Sequence, residues 1–359
     1  QDEDSSLGFL SPTPQGGYPC YRKKGQFEGN ILLSNKGFLG QGKLDYLGAT
    51  VNSDDIVFEP KRMTASAKRF DLREDRAGPV KVPKAVGFDV KIDWQPYLDS
   101  MYVTSVEAPF DIFNESKHFL KGTLILTPGG LKARGQFSWD NATMSSGLFS
   151  FGAYSVSADT TDLQIKSFDA RSLALKTSNI KGSIDFETQK GSFRANQPEN
   201  HRTFFPGNQY LTSMDQFDWD MKNEKITFRP IYQPLASFVS THPDKDSLRF
   251  KGDAAEFDLK SNNLRITGVE SIVSADAYIY TEKGEVFINS NGEMKTLENV
   301  RIVADTINKF HVINRATADI RGKRNFTAKG YYEYNIGRRQ QEILFNNIVG
   351  QPIGKGNFS

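Results

Sequence analysis

The sequence predicts an all-β fold of repeated antiparallel strand-and-turn units, and three observations carry that expectation. The first is composition: the 359 residues include 27 Phe, 13 Tyr, 30 Gly and 15 Pro. Aromatic and β-branched side chains suit a pleated, half-buried surface, while Gly and Pro supply turns. The second is period-two alternation. Over 252–281, Ala254, Phe257 and Leu259 lead into the polar turn Lys260-Ser261-Asn262-Asn263. Leu264, Ile266 and Gly268 alternate after it, and Ile272, Ala275, Ala277 and Ile279 follow. Short alternating runs closed by Asn, Asp or Gly read as strands. The third is an internal repeat: shifted by 93 residues, 29–65 lies on 122–158 without a gap.

The repeat is carried by specific residues. Gly29 meets Gly122, Leu33 meets Leu126, Gly37 meets Gly130 and Gly42 meets Gly135. Tyr46 meets Trp139, Ala49-Thr50 meets Ala142-Thr143, Ser53 meets Ser146 and Phe58 meets Phe151. Glycines recurring in register mean recurring turns, because Gly alone takes positive φ cheaply. A weaker match at a shift of 40 places Phe217-Asp218-Trp219 on Phe257-Asp258-Leu259 and Ile226-Thr227 on Ile266-Thr267.

The remaining elements follow the same habit. Residues 182–186 form a strand before the turn-like Gln189-Lys190-Gly191, and 330–334 turns at Asn335-Ile336-Gly337 into 341–345. Helix is expected only as single turns at 234–239 and 303–310. The expected organisation is a loose segment 1–24, repeat units 25–115 and 116–200, further hairpins 201–346, and a linker 347–359. Stacked repeats let a chain of this length escape the size limit of one compact core.

Charge and cysteine usage narrow the partners. Forty-five basic and 43 acidic residues leave a net charge of +2, too little for a strong polyanion-binding field, so no nucleic-acid partner is expected. No apolar run approaches the ~18 residues of a membrane helix. The single cysteine, Cys20, has no intramolecular partner, and Tyr18-Pro19-Cys20-Tyr21 lacks the small apolar residues that precede a lipoprotein cysteine. An opening Gln1 and the Gly-rich 350–357 read as a processed piece of a longer exported protein, periplasmic or at the cell surface.

The stretch 250–258 (FKGDAAEFD), then Leu264-Arg265-Ile266-Thr267-Gly268-Val269, then Ala275-Asp276-Ala277-Tyr278-Ile279 resembles the repeat of the OstA-like lipopolysaccharide-transport proteins. The copies offset by 93 are similar to the repetitive sheet of AsmA- and TamB-like envelope proteins, and the overall texture resembles large envelope proteins of Bacteroidetes-like bacteria. The resemblance covers about thirty residues. It implies a rolled or V-shaped antiparallel sheet whose apolar inner face carries acyl chains. Tandem β-sandwiches and a parallel β-helix are the alternatives; the helix is disfavoured because its coils recur at roughly 20–30 residues.

Catalytic signatures are few. His118, His201, His242 and His311 lack metal-ligand spacing, there is no Gly-x-Ser-x-Gly elbow, and no cofactor is expected. Asp215, Asp218 and Asp220 gather around Trp219, and Asp244 and Asp246 flank Lys245. Two carboxylates with an aromatic would suit a glycosidase, a sugar site or calcium, but a polar strand face explains them more simply. Tyr331, Tyr332 and Tyr334 with Arg338 and Arg339 would suit a stacking platform, against core packing. The basic run Arg22-Lys23-Lys24 reads as a solvated turn.

These observations favour a non-catalytic envelope protein: a lipid-conducting or scaffold sheet with lipid or other envelope proteins as partners, the latter joined through exposed strand edges. Its expected apolar-face residues are Phe58, Phe151, Phe257, Ile266 and Ile279. A surface carbohydrate-binding or adhesive protein is the alternative, and a polysaccharide-acting β-helix enzyme a third.

Overall fold

A computed structural model of the chain describes residues 9–35, 37–168, 172–336, 339–350, 352–353 and 357–358. Gly337 and Arg338, the opening 1–8 and residues 351, 354–356 and 359 of the expected linker lie outside the described residues. The chain is 64% strand and 3% helix, and the helical part is three Pro-initiated 3-10 turns, Pro96–Leu98, Pro198–Asn200 and Pro243–Lys245. No described helix is long and apolar enough to cross a membrane. Every strand pairing recorded among the described residues is antiparallel, which removes the parallel β-helix alternative. The expected helical turns are also corrected. Residues 236–240 form the strand Ala236–Ser240, because Ala236, Phe238 and Ser240 alternate inward. Residues 303–304 end the strand Leu297–Ala304, and 305–310 form a loop.

The chain divides into two compact units, 1–161 with 182–188 and 162–181 with 189–359. Unit 1 is an antiparallel meander of long strands: Gly25–Ser34, Gly37–Tyr46, Ala49–Phe58, Met63–Leu72, Ala85–Gln95, Ser100–Ser105, His118–Thr127, Gly130–Trp139 and Ala142–Phe151. Both copies of the 93-residue repeat fall here, and adding 93 to Gly25–Ser34, Gly37–Tyr46 and Ala49–Phe58 returns the bounds of their counterparts. Irregularities repeat as well. The register slips between Gly40 and Gly42, and again between Ala133 and Gly135. Ser53 Oγ donates to Ser66 O at 2.8 Å and accepts the Asp55 N–H at 3.0 Å; Ser146 Oγ donates to Thr160 O at 2.7 Å and accepts the Leu148 N–H at 3.0 Å. A hydroxyl satisfies the amide that the bulge withdraws from the ladder.

Unit 2 sends successive hairpins alternately to two ladders. The first ladder orders Lys190–Ala195, Gln216–Asp220, Lys225–Arg229, Ala254–Asp258, Asn263–Thr267 and Val286–Ile288. The second runs from Thr203–Phe205 and Tyr210–Thr212 through Ala236–Ser240, Arg249–Gly252, Ser271–Ser274 and Ala277–Tyr280. It then continues through Leu297–Ala304, His311–Ile320, Phe326–Ile336 and Arg339–Gly350. The ladders bury their facing sides together: Phe205 of the second lies 5.3 Å from Phe228 and 5.0 Å from Phe257 of the first, centroid to centroid. The hairpins starting at Gln216 and Ala254 coincide at an offset of 38, two less than the sequence match. Turn chemistry sets that register. Asp220 accepts the Asn223 N–H at 3.0 Å and Asp258 accepts the Ser261 N–H at 2.9 Å, the Asx capping expected of Asp before a tight turn.

Candidate functional site

One cross-strand row runs through unit 1 on a single face. Phe9, Leu33, Phe38, Phe58, Met63, Trp94, Met101, Leu126, Leu131 and Phe151 stand directly opposite one another in turn, ten apolar residues on ten strands. Residues opposite in an antiparallel pair share a face, so the row is continuous. Its middle and far end are closed, Met63 through Leu131 being buried and Phe151 only 6% exposed. Its near end is not: Phe9 is 82%, Leu33 52% and Phe38 40% exposed, and Phe58 is half-buried.

The repeat makes this contrast informative. Leu33, Phe38 and Phe58 of the first copy correspond to Leu126, Leu131 and Phe151 of the second. In the second copy the strand Ser100–Ser105 pairs against His118–Thr127 and is backed by Ala85–Gln95. In the first copy only the short strand Phe9–Ser11 occupies that position, and among the described residues it pairs with Gly25–Ser34 alone. Equivalent apolar positions are buried in the copy whose ladder continues and open in the copy beside the short strand. Phe58 partly compensates with Phe27 at 5.4 Å and Phe38 at 5.5 Å. Period-two reading identified Phe58 but not its exposed neighbours, since exposure depends on what lies beyond the edge strand.

The other expected apolar-face residues are core. Phe257, Ile266 and Ile279 are fully buried. Ile266 fills the space beside Gly252 so tightly that a Cβ there would strike it. Phe151 packs 5.5 Å from Phe137. The five therefore do not form one surface: Phe58 and Phe151 belong to unit 1, and Phe257, Ile266 and Ile279 to unit 2.

The acidic group around Trp219 is separated by strand geometry. Along Gln216–Asp220, Phe217 and Trp219 point inward while Asp218 and Asp220 point outward, as alternation requires. Asp218 pairs with Arg229 and accepts Ser192 Oγ–H at 2.9 Å. Asp220 caps its own turn, and Asn223 holds its carboxyl below the usual range. Asp215 is buried, accepting the Ile231 N–H at 2.6 Å and the Tyr232 N–H at 2.9 Å to fix the following loop. Three carboxylates, each engaged by its own local partners, do not converge on a ligand. Among the described residues no three His, Cys, Asp or Glu side chains gather as metal ligands.

The remaining candidates resolve similarly. Asp246 pairs with Arg324 at 2.5 Å, whereas Lys245 is buried, donates to the Gly292 carbonyl and lies 5.5 Å from the Tyr210 ring centre. His118 sits among aromatics, 4.5 Å from Phe186 and 5.1 Å from Phe113, and burial lowers its pKa. His201 is buried 3.1 Å from Thr203 Oγ1, with its pKa lowered for the same reason. Cys20 is half-buried, which pushes its thiol up to about 11, so it is not an activated nucleophile. Tyr332 stacks on Phe345 at 5.5 Å, and Arg315 covers Tyr331 at 4.5 Å, so these two rings face different partners; the side chains of Arg338 and Arg339 lie outside the described residues.

No protein-family model, curated protein or solved structure matches the chain.

Proposed function

We propose that this chain is a non-catalytic cell-envelope protein that acts as a structural β-scaffold, docking a partner's β-layer on the open end of its apolar row. The observation carrying this reading is the internal contrast: Leu33 and Phe38 are open where Leu126 and Leu131, their repeats, are buried, with two further long strands continuing the ladder beyond Leu126. A sheet edge with an uncovered apolar row is a surface that strand addition completes. The likeness to OstA-like proteins belongs to the same proposal, supported by hairpins that alternate between two ladders and bury an apolar face. Export to the envelope is part of it, resting on composition.

Lipid conduction is the second reading, favoured by the same exposed row, which an acyl chain would also cover. Photo-crosslinking in the native envelope separates the two. With p-benzoylphenylalanine at Phe38, and at buried Leu131 as control, a discrete protein adduct at Phe38 alone supports the scaffold. Lipid adducts would support conduction. No adduct at Phe38 under conditions that label other exposed positions would refute both.

A further inference from the structure

The loop 305–310, joining Leu297–Ala304 to His311–Ile320 in unit 2, holds two large apolar side chains in solvent: Ile307 is 85% and Phe310 72% exposed. The loop is a built structure. Asp305 accepts the N–H groups of Ile307 at 3.1 Å and Asn308 at 2.9 Å, and the Asn308 side-chain amide at 2.8 Å. The Lys309 N–H returns to Asp305 O at 2.7 Å. Asp276 anchors the other flank by accepting the Thr306 N–H at 3.1 Å. Both carboxylates nearest the tip are thus occupied by the loop's own donors.

The cations around the loop sit over aromatic rings. Lys309 Nζ is 5.7 Å from the Tyr278 ring centre and the Arg301 guanidinium 4.6 Å from that of Tyr280. The two tyrosines lie 6.1 Å apart, two positions along one strand. Fixed apolar tips backed by Tyr, Lys and Arg match the chemistry of a bilayer interface: acyl chains receive the tips, amphipathic rings sit at headgroup level, and cations meet anionic headgroups. We infer that the loop 305–310 is a membrane-surface anchor, inserting Ile307 and Phe310 into a bilayer bearing anionic lipid. A protein groove would also accept two apolar side chains, but it would not call for the adjoining exposed cations, Arg301 and Lys309, set over half-buried tyrosines. Ile307 and Phe310 belong to unit 2 and the open apolar row to unit 1, so loss of either site leaves the other intact.

The test uses the full chain and vesicles of phosphatidylcholine with phosphatidylglycerol, against phosphatidylcholine alone. The chain should co-sediment with the anionic vesicles and more weakly with the neutral ones. I307S/F310S should weaken binding by roughly a hundredfold, each buried apolar side chain being worth about tenfold or more. Lys309→Glu should lessen the preference for anionic lipid. Phe310→Trp supplies a second readout, because Trp94, Trp139 and Trp219 are all buried: its emission should shift to the blue on vesicle addition and be quenched by brominated acyl chains. Failure of the wild-type chain to bind either vesicle, unchanged binding by I307S/F310S, or Phe310→Trp emission blind to brominated lipid would each overturn the assignment. So would a loss of chain–chain association in I307S/F310S without any vesicle binding by the wild type, which would make the loop a protein contact.

Discussion

Gly29 stands directly opposite Gly42 across two neighbouring strands, each at φ +153°, and a Cβ on either would run into the backbone carbonyl of the other strand. Gly122 and Gly135 repeat the relationship 93 residues later, at φ +152° and +132°. The paired glycines let two strands approach where a side chain would part them, beside the recurring bulge.

Gly122→Ala should therefore destabilise unit 1 by about 2–4 kcal/mol, combining a Gly-only conformation with a backbone clash. Gly147→Ala is the control, since a Cβ there meets nothing within 4 Å. Urea unfolding of both variants measures the difference, and equal midpoints would remove the role assigned to the glycine pair.

The row of unit 1 predicts graded costs. Phe151→Ala should cost about 3–5 kcal/mol, as expected for emptying a closed core. Phe58→Ala should cost about 1–3 kcal/mol, because part of its ring is already in water. Equal losses in chemical denaturation would mean that the near end of the row is as covered as the far end.

Stability should fall with acid through two histidines. His118 and His201 are buried with pKa values below the ordinary 6.5. The unfolded chain binds these protons first, so the stabilisation is complete above pH ~6.5 and is lost as pH falls through the lower folded values. His118→Gln should flatten the part of this slope due to unit 1. Unfolding midpoints between pH 7 and pH 5 measure it; a slope unchanged in His118→Gln would show that the group titrates normally.

Much of this architecture was legible in the residues. Glycines marked the 93-residue repeat because backbone conformation depends on them directly, and alternation marked Phe257, Ile266 and Ile279 as inward. In unit 2 the sequence match falls at 40, because Phe-Asp pairs match by type, while the hairpins recur at 38. In space Asp220 aligns with Asp258 as turn caps, and Trp219 with Phe257 as core. The acidic group misled because neighbours in sequence occupy opposite faces of a strand. The open row is invisible for a different reason: Leu33 and Leu126 are the same residue in the same pattern, and the strands paired beyond them differ. Ile307 and Phe310 suggested a helical turn, since the Asx bonds from Asp305 that project them have no periodic signature.

The central claim is that the apolar interior is closed by protein side chains and the open row awaits a protein partner. Mass spectrometry of organic extracts from the purified chain, against a β-sandwich of equal size, tests it most directly. The account predicts an extract with no more lipid than the control. Stoichiometric phospholipid or lipopolysaccharide on this chain alone would contradict it and favour conduction along the sheet.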